Sequence, residues 1–238
     1  MKLCLITLRP DPVWCQFLDS FTRYKVYIIV DDNNFDLTPF TMYTTLTFIQ
    51  IPDQDCITAG FRNTNLVLKK EVSGWDKALY YFSSESEYIW FIEDDVYFQE
   101  EETLVRIDLQ YTRADLLSNR IFRKGEDGPW LWNKINLRAL YADRPMYHGM
   151  MCAVRFSREL LVIIRNHANR HGSLFFLEAM FPTLAIGNGL VHMVPKELST
   201  IHYRYCHRDT DSLHLYHPVK GNHILYRTAC SGKISLSE

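Results

Sequence analysis

The sequence lacks long hydrophobic runs, and no segment approaches the ~18 to 20 consecutive apolar residues that a membrane-spanning helix needs. The stretch from Met1 to Pro10 holds only a short apolar run that Arg9 interrupts. This pattern predicts a first strand rather than a signal peptide. We therefore expect a cytoplasmic protein without a membrane span.

The sequence also lacks long runs of residues with the same charge. The chain carries 26 Lys and Arg against 28 Asp and Glu, for a net charge of -2, and has no long basic segment. This balance argues against nucleic acid as the main partner. With 238 residues, of which 47% are hydrophobic, the chain is long enough to bury one large core.

Two local motifs are missing as well. The six cysteines form no Cys-x-x-Cys pair, and most lie in apolar runs, so we expect free, buried thiols rather than disulfides. No Gly-x-Gly-x-x-Gly follows the first predicted strand. The pyrophosphate-binding turn of a dinucleotide-dependent oxidoreductase is therefore missing, which argues against that class.

The most informative feature that is present is an acidic triplet. An apolar run from Tyr88 to Ile92 fits a buried strand, and Glu93, Asp94 and Asp95 follow it directly. Adjacent carboxylates repel one another and lose hydration when buried, unless a metal ion or a cationic group offsets them. Ligands of open α/β sheets bind at the carboxyl ends of strands. The triplet therefore predicts a functional site, and the alternative is a solvated acidic turn.

The first half of the chain alternates strands and helices. Apolar runs predict strands at 2–8, 24–30, 46–51 and 88–92, and helices that begin after Asp11 and Ser73. Farther along we expect a helix at 101–118, a strand at 149–156, a helix to about residue 170 that Ser157 caps, and a short helix at 175–180 that ends before Pro182. This order predicts an α/β fold with a mostly parallel, Rossmann-like sheet flanked by helices, followed by an irregular C-terminal tail.

Four stretches carry a resemblance to a known family: Phe91–Val96, Gly74–Leu79, Phe176–Leu184 and His217–Lys220. They resemble the GT-A class of nucleotide-sugar glycosyltransferases, particularly the small enzymes of this class that large DNA viruses encode. The resemblance implies one GT-A-like domain over residues 1–238, with a nucleotide-binding half at 1–98 and an acceptor-binding half with the C-terminal tail at 99–238. For a viral enzyme it also implies the host cytoplasm.

The resemblance implies a divalent metal site, because the family's Asp-x-Asp motif closes the fourth strand and its last Asp binds the cation. Asp95 matches that ligand, Glu93 replaces the family's first Asp, and His217 matches the late histidine that completes the coordination. Mg²⁺ or Mn²⁺ bridging the diphosphate oxygens would stabilise the leaving group. An imidazole ligand favours Mn²⁺ of the two.

Donor recognition is predicted at the other strand ends. Asp31 and Asp32 can accept hydrogen bonds from ribose or base. Further candidates for binding the nucleotide sugar, most of them cationic, are Arg9, Arg62, Lys77, Asp94, Gly149 and Lys220.

Glu178 is the predicted catalytic residue, because a carboxylate in the apolar run 174–181 is costly unless it has a function or a partner. Burial would raise its pKa toward that of a general base. It also matches the acidic residue of an inverting transferase. The alternative is a glutamate on a helix surface.

These observations together predict an enzyme that moves a sugar from a UDP-sugar or a similar donor to a glycan or another hydroxyl acceptor with inversion. Two other classes stay open. A metal-dependent hydrolase would use the acidic triplet to activate water. A zinc-stabilised binding module would use Cys206, His207, His214 and His217, although their spacing is irregular.

Overall fold

The protein is described from a computed structural model, which covers residues 1–65, 70–126, 145–204 and 209–219. The strands are β1 Lys2–Thr7, β2 Lys25–Val30, β3 Leu46–Ile49, β4 Ile89–Glu93, β5 Leu116–Leu117, β6 Phe122–Arg123, β7 Tyr147–His148, β8 Ala153–Phe156 and β9 His192–Met193. The helices are α1 Pro12–Asp19, α2 Asp53–Thr58, α3 Gly74–Tyr81, α4 Glu101–Gln110, α5 Arg158–His171 and α6 Leu177–Gly187. None of the helices in these ranges combines the length and the apolar character needed to cross a membrane.

Seven strands form one central sheet in the order β3-β2-β1-β4-β8-β5-β9, and β6 and β7 form a separate pair. β1 runs parallel to both β2 and β4, and β2 runs parallel to β3. Only β8 in this sheet runs antiparallel to its neighbours, β4 and β5. The predicted fold class, a mostly parallel α/β sheet flanked by helices, is confirmed.

Both faces of the central strands are buried, as parallel strands covered by helices require. Along β1, Leu3 and Leu5 join the core cluster that contains residues of α1 and α4. Cys4 and Ile6 point the other way, into the core cluster that contains residues of α3, α5 and α6. The sheet is therefore the middle of three layers, with helices on both of its faces.

Three predicted helix starts are confirmed with their capping contacts. The Asp11 carboxylate accepts a hydrogen bond from the Val13 backbone N–H at 2.7 Å, with Pro12 at the first helical position of α1. The Ser157 hydroxyl accepts from the Leu160 N–H at 3.2 Å at the start of α5. Before α3, the Asp76 carboxylate accepts from the Ser73 N–H at 2.8 Å. Short polar side chains thus set these boundaries locally.

The helix predicted at 101–118 is shorter in the structure, where α4 ends at Gln110. The backbone N–H groups of Asp115 and Leu116 donate to the Val191 carbonyl at 2.7 and 3.1 Å. Leu116 and Leu117 are fully buried as β5 between β8 and β9. Pairing with distant strands therefore overrides the helical pattern of this stretch.

The predictions around Pro182 and Gly149 are also corrected. α6 runs through Pro182 to Gly187 instead of ending before the proline, and β8 begins at Ala153 rather than at Gly149. A proline removes the N–H that would bond to the carbonyl four residues earlier, which is that of Glu178. This carbonyl accepts a hydrogen bond from the Gly149 N–H at 3.1 Å instead. A tertiary contact thus replaces the lost helical bond.

Candidate active site

The predicted site lies where β1, β2 and β4 end on one edge of the sheet. Register places Ile6 beside Glu93 and Thr7 beside Val30. Because the three strands are parallel, the residues that follow them lie at the same edge. The acidic triplet after β4 and the aspartates after β2 therefore share this edge.

The three acids of the triplet do not act as one group. The Asp94 carboxylate accepts a hydrogen bond from the Thr7 hydroxyl at 2.5 Å, and its backbone carbonyl accepts from the Trp14 indole N–H at 2.9 Å. Potential ligand atoms of Glu93, Asp95 and His217 lie within 4.8 Å of one another. The first and last acids thus converge, while the middle one binds β1 and α1.

His217 reaches this cluster because backbone pairing places the C-terminal segment against β4's end. Tyr216 pairs with Tyr97 in an antiparallel bridge, and His217 pairs with Ile201 in a parallel one. The His217 ring nitrogen Nδ1 lies 2.7 Å from the His202 carbonyl, and Nε2 lies 3.4 Å from Oδ1 of Asp95. Since a carbonyl can only accept, Nδ1 carries the proton, which leaves Nε2 as the ligand atom in a neutral ring.

The cluster concentrates negative charge. Burial raises the pKa of Glu93 to about 7, and the charge of Asp95 adds to this rise, while the hydrogen bond from Trp75 opposes it. Burial alone would lower the pKa of His217, but Asp95, the His202 carbonyl and Glu93 together outweigh burial and raise it. Shifts of this kind, caused by burial and a specific charged neighbour, mark functional sites.

The donor set fits a divalent cation. Two carboxylates and one imidazole, with one ligand atom each, are the oxygen and nitrogen ligands that Mn²⁺ accepts and that Mg²⁺ accepts with less preference. The contact of Nδ1 with a backbone carbonyl is the second contact that metal-binding histidines usually make.

Glu178, the predicted base, affects the same buried cysteine as two acids of the cluster. The buried Cys152 thiol has a pKa raised first by burial and then by the charges of Glu93, Asp95 and Glu178. Glu178 lies in the first turn of α6. Glu178 is half-buried. The charge of the predicted base and those of the two predicted carboxylate ligands thus all act on the same buried thiol.

Gly149 serves chain packing. A Cβ built at this position would lie 2.7 Å from the Arg120 carbonyl oxygen, so any other residue would clash with backbone. Together with the contact to the Glu178 carbonyl, this close approach ties the segment before β8 to α6.

The end of β2 is rich in ion pairs. The Lys77 side chain on α3 is fully buried, and its ammonium lies 2.6 Å from the Asp31 carbonyl, 3.3 Å from the Asp31 carboxylate and 2.9 Å from the Asp53 carboxylate. It also donates to the Asn33 side chain at 3.1 Å. Lys70 pairs with the other Asp31 oxygen at 2.5 Å. Lys77, predicted to bind the donor, thus contacts the turn after β2.

The other basic residues predicted to bind the donor differ in their contacts. Arg9 pairs with Asp32 at 2.8 Å, and its guanidinium lies 5.8 Å from the centre of the Phe35 ring. Arg62 instead donates to the Gly172 carbonyl and to the Glu71 carboxylate, at 2.9 and 2.8 Å. Lys220 lies outside the described residues.

The two described residues of the alternative zinc module, His214 and His217, contact different carboxylates. His214 contacts the Asp211 carboxylate at 2.9 Å, whereas His217 faces Asp95. Cys206 and His207 lie outside the described residues.

Sequence reasoning did not assign site roles to Thr7, Trp14 and Trp75, whose side chains hold the acidic triplet. Thr7 had a usable signal, because it ends a strand that is parallel to β4. The sequence holds no signal for the two indole contacts, because a tryptophan in an amphipathic pattern predicts only a core residue.

Comparison with known proteins gives a likeness to solved structures only. No protein-family model matches the sequence, and no curated protein matches it. Among solved structures, the chain is similar to mouse xyloside xylosyltransferase 1 in its apo form, with a TM-score of 0.44 and 9% sequence identity. The similarity covers 91% of this chain and 96% of that chain.

Proposed function

We propose that the protein is a metal-dependent glycosyltransferase that moves a sugar from a nucleotide diphosphate sugar, a UDP-sugar in the first instance, to a hydroxyl acceptor with inversion. The observation that carries the proposal is the convergence of Glu93, Asp95 and His217 within 4.8 Å at the carboxyl end of a parallel strand. The resemblance of the triplet region to the Asp-x-Asp motif supports the same assignment.

Each residue of the site has a chemical task under this proposal. Glu93, Asp95 and Nε2 of His217 hold a divalent cation, which when bound supplies positive charge to the oxygens of the leaving diphosphate. Asp32 offers carboxylate oxygens to the ribose or base, and its partner Arg9 stands beside it. Glu178 takes the proton of the acceptor hydroxyl as the new glycosidic bond forms.

A thermal-shift panel tests the donor class. UDP, GDP, CMP and their sugars are each added with Mn²⁺ or with EDTA, and the melting temperature is recorded. Ligands that bind only the folded state raise this temperature by mass action. We expect the largest rise for UDP compounds with Mn²⁺, and none with EDTA. The donor assignment is wrong if no nucleotide shifts the melting temperature under either condition.

Product analysis tests the reaction class. With a UDP-sugar and a panel of hydroxyl acceptors, a transferase forms a new glycoside, whereas a metal-dependent hydrolase releases free sugar at the same rate with or without acceptor. Release that is independent of acceptor would assign the cluster to water activation.

A further inference from the structure

The first turn of helix α3 is buried and lies directly behind the acidic triplet. Gly74, Trp75, Asp76 and Lys77 are all buried, which is unusual for a turn with two charged residues. A Cβ at Gly74 would lie 2.7 Å from Cγ2 of Ile6 on β1. The glycine therefore lets this turn approach the sheet closely, next to the strand pair that ends at the site.

This close approach brings the Trp75 indole to Glu93. The indole N–H donates a hydrogen bond to Oε1 of Glu93 at 2.6 Å, and Trp75 is only 3% exposed. Its ring packs against Phe91 and Phe181, with centroids 5.8 and 5.4 Å away. The rings on both sides fix the direction of the N–H, so the donor is preorganised.

A carboxylate on a glutamate side chain has three rotatable bonds, and a ligand must lose this freedom before it can bind a metal ion. An indole N–H that holds one oxygen removes this freedom in advance and leaves the other oxygen for a cation. Groups that hold metal ligands in this way affect metal affinity strongly.

We propose that Trp75 is a positioning residue that holds the Glu93 carboxylate in its metal-binding orientation. This role rests on the metal site of the proposed function. Trp75 acts only through Glu93 and needs no contact with the nucleotide sugar.

Trp90 provides a matched control within the same fold. Its indole N–H donates to the Asp108 carboxylate at 3.1 Å, and Trp90 is 1% exposed. Asp108 forms a buried ion pair with Arg155 at 2.6 Å and does not belong to the Glu93 cluster. Both tryptophans thus combine core packing with an indole-to-carboxylate bond, and only Trp75 bonds a proposed ligand.

The experiment compares Trp75→Phe with Trp90→Phe by titrating Mn²⁺ into each folded protein and measuring binding by calorimetry. We expect Trp75→Phe to weaken Mn²⁺ binding about 10- to 100-fold. Trp90→Phe should bind Mn²⁺ as wild type does, although both variants lose packing and melt at lower temperature.

A double-mutant cycle with Glu93→Gln separates positioning from general loosening of the core. Glu93→Gln and the double variant Glu93→Gln with Trp75→Phe should bind Mn²⁺ equally, because no carboxylate remains to be held. An equal loss from Trp75→Phe in both backgrounds would overturn the positioning role.

A second measurement needs no tryptophan variant and holds even if Trp75→Phe fails to fold. The five tryptophans give five indole N–H resonances in a ¹⁵N-labelled protein. The resonance that moves in Glu93→Gln should be the one that Mg²⁺ displaces in wild type. If Mg²⁺ leaves that resonance in place, Trp75 does not act on the metal site.

The two proposals fail in different ways. Wild-type protein that binds no Mn²⁺ overturns the metal site and the positioning role together. Wild-type binding with an unchanged affinity in Trp75→Phe overturns the positioning role alone.

Discussion

Two strand ends of this sheet, one on each side of β1, carry acids, and the groups around these acids differ. After β2, Asp31 and Asp32 bind the side chains of Lys70, Lys77 and Arg9. After β4, Glu93 and Asp95 converge with a histidine. The pKa of Asp32 is lowered, by a backbone hydrogen bond from Asn34 and then by Arg9, whereas burial and Asp95 raise that of Glu93.

This difference separates carboxylates that side-chain cations of the chain neutralise from carboxylates that lie close to one another and to a histidine. Cations supplied by the chain satisfy the acids after β2, and one of those cations is buried and fixed. The raised pKa of Glu93 shows that the groups around the acids after β4 favour its neutral form. A bound cation would reverse that preference. The strand end with the raised pKa is therefore the one that we assign to the metal.

The largest expected effect comes from Asp95→Asn, which keeps the size of the side chain and removes its charge. We expect loss of metal-dependent UDP binding with the fold intact, and a rise in stability without metal, since repulsion with Glu93 is relieved. Calorimetric titration of UDP with Mn²⁺ measures this, with the exposed Asp55→Asn as control. Unchanged affinity in Asp95→Asn would exclude Asp95 as a ligand.

Removing the lysines that pair with the acids at the end of β2 should lower the unfolding free energy. Lys77→Met removes a buried ammonium and leaves the carboxylates of Asp31 and Asp53 without it, so we expect a loss of about 3 kcal/mol of unfolding free energy. Lys70→Met removes the exposed partner of the same Asp31 and should cost less than about 1 kcal/mol. Urea unfolding compares the two. Equal losses would show that burial of Lys77 adds nothing.

Glu178→Gln tests the acceptor side of the site. If Glu178 deprotonates the acceptor, the variant should bind UDP and Mn²⁺ normally while transfer falls by roughly 10²-fold or more. The pH–rate profile should lose its acidic limb, because the group that ionises there is gone. Transfer at the wild-type rate would move the base elsewhere, with Asp94 next, and misfolding would make Glu178 a structural partner.

The pH dependence of stability should distinguish the two strand ends in metal-free protein. A carboxyl whose folded pKa of about 7 exceeds its unfolded value stabilises the fold less as pH rises between these values. Glu93→Gln removes this loss, so its stability relative to wild type should grow from pH 4.5 to 7 by up to about 3 kcal/mol. Asp32→Asn should show no such gain. Parallel curves for wild type and Glu93→Gln would contradict the shift.

His217→Ala should give the smallest change in metal binding. One ligand of several is lost, and the two carboxylates remain, so we expect about tenfold weaker Mn²⁺-dependent UDP binding. His214→Ala, which removes a histidine paired with Asp211 in the same segment, is the control. An equal metal dependence in wild type and His217→Ala would exclude His217 as a ligand.

The strands and helix starts could be predicted from the sequence because local chemistry sets them. Continuous apolar runs define β1, β2 and β4, and Asp11, Ser73 and Ser157 define helix starts. Predictions failed where distant segments decide. Leu116 and Leu117 pair with strands from elsewhere in the chain, and α6 passes through Pro182.

The sequence by itself determined that three acids end a buried strand, because the apolar run and the triplet are contiguous, and from this it predicted a site for a cation there. Only the tertiary structure decided which contacts each of these acids makes. Thr7 and Trp14 hold Asp94, and backbone pairing of the C-terminal segment brings His217 to the other two. The physical reason is that hydrogen-bond partners and pKa shifts depend on distances between residues of different strands and helices. The sequence alone does not specify these distances.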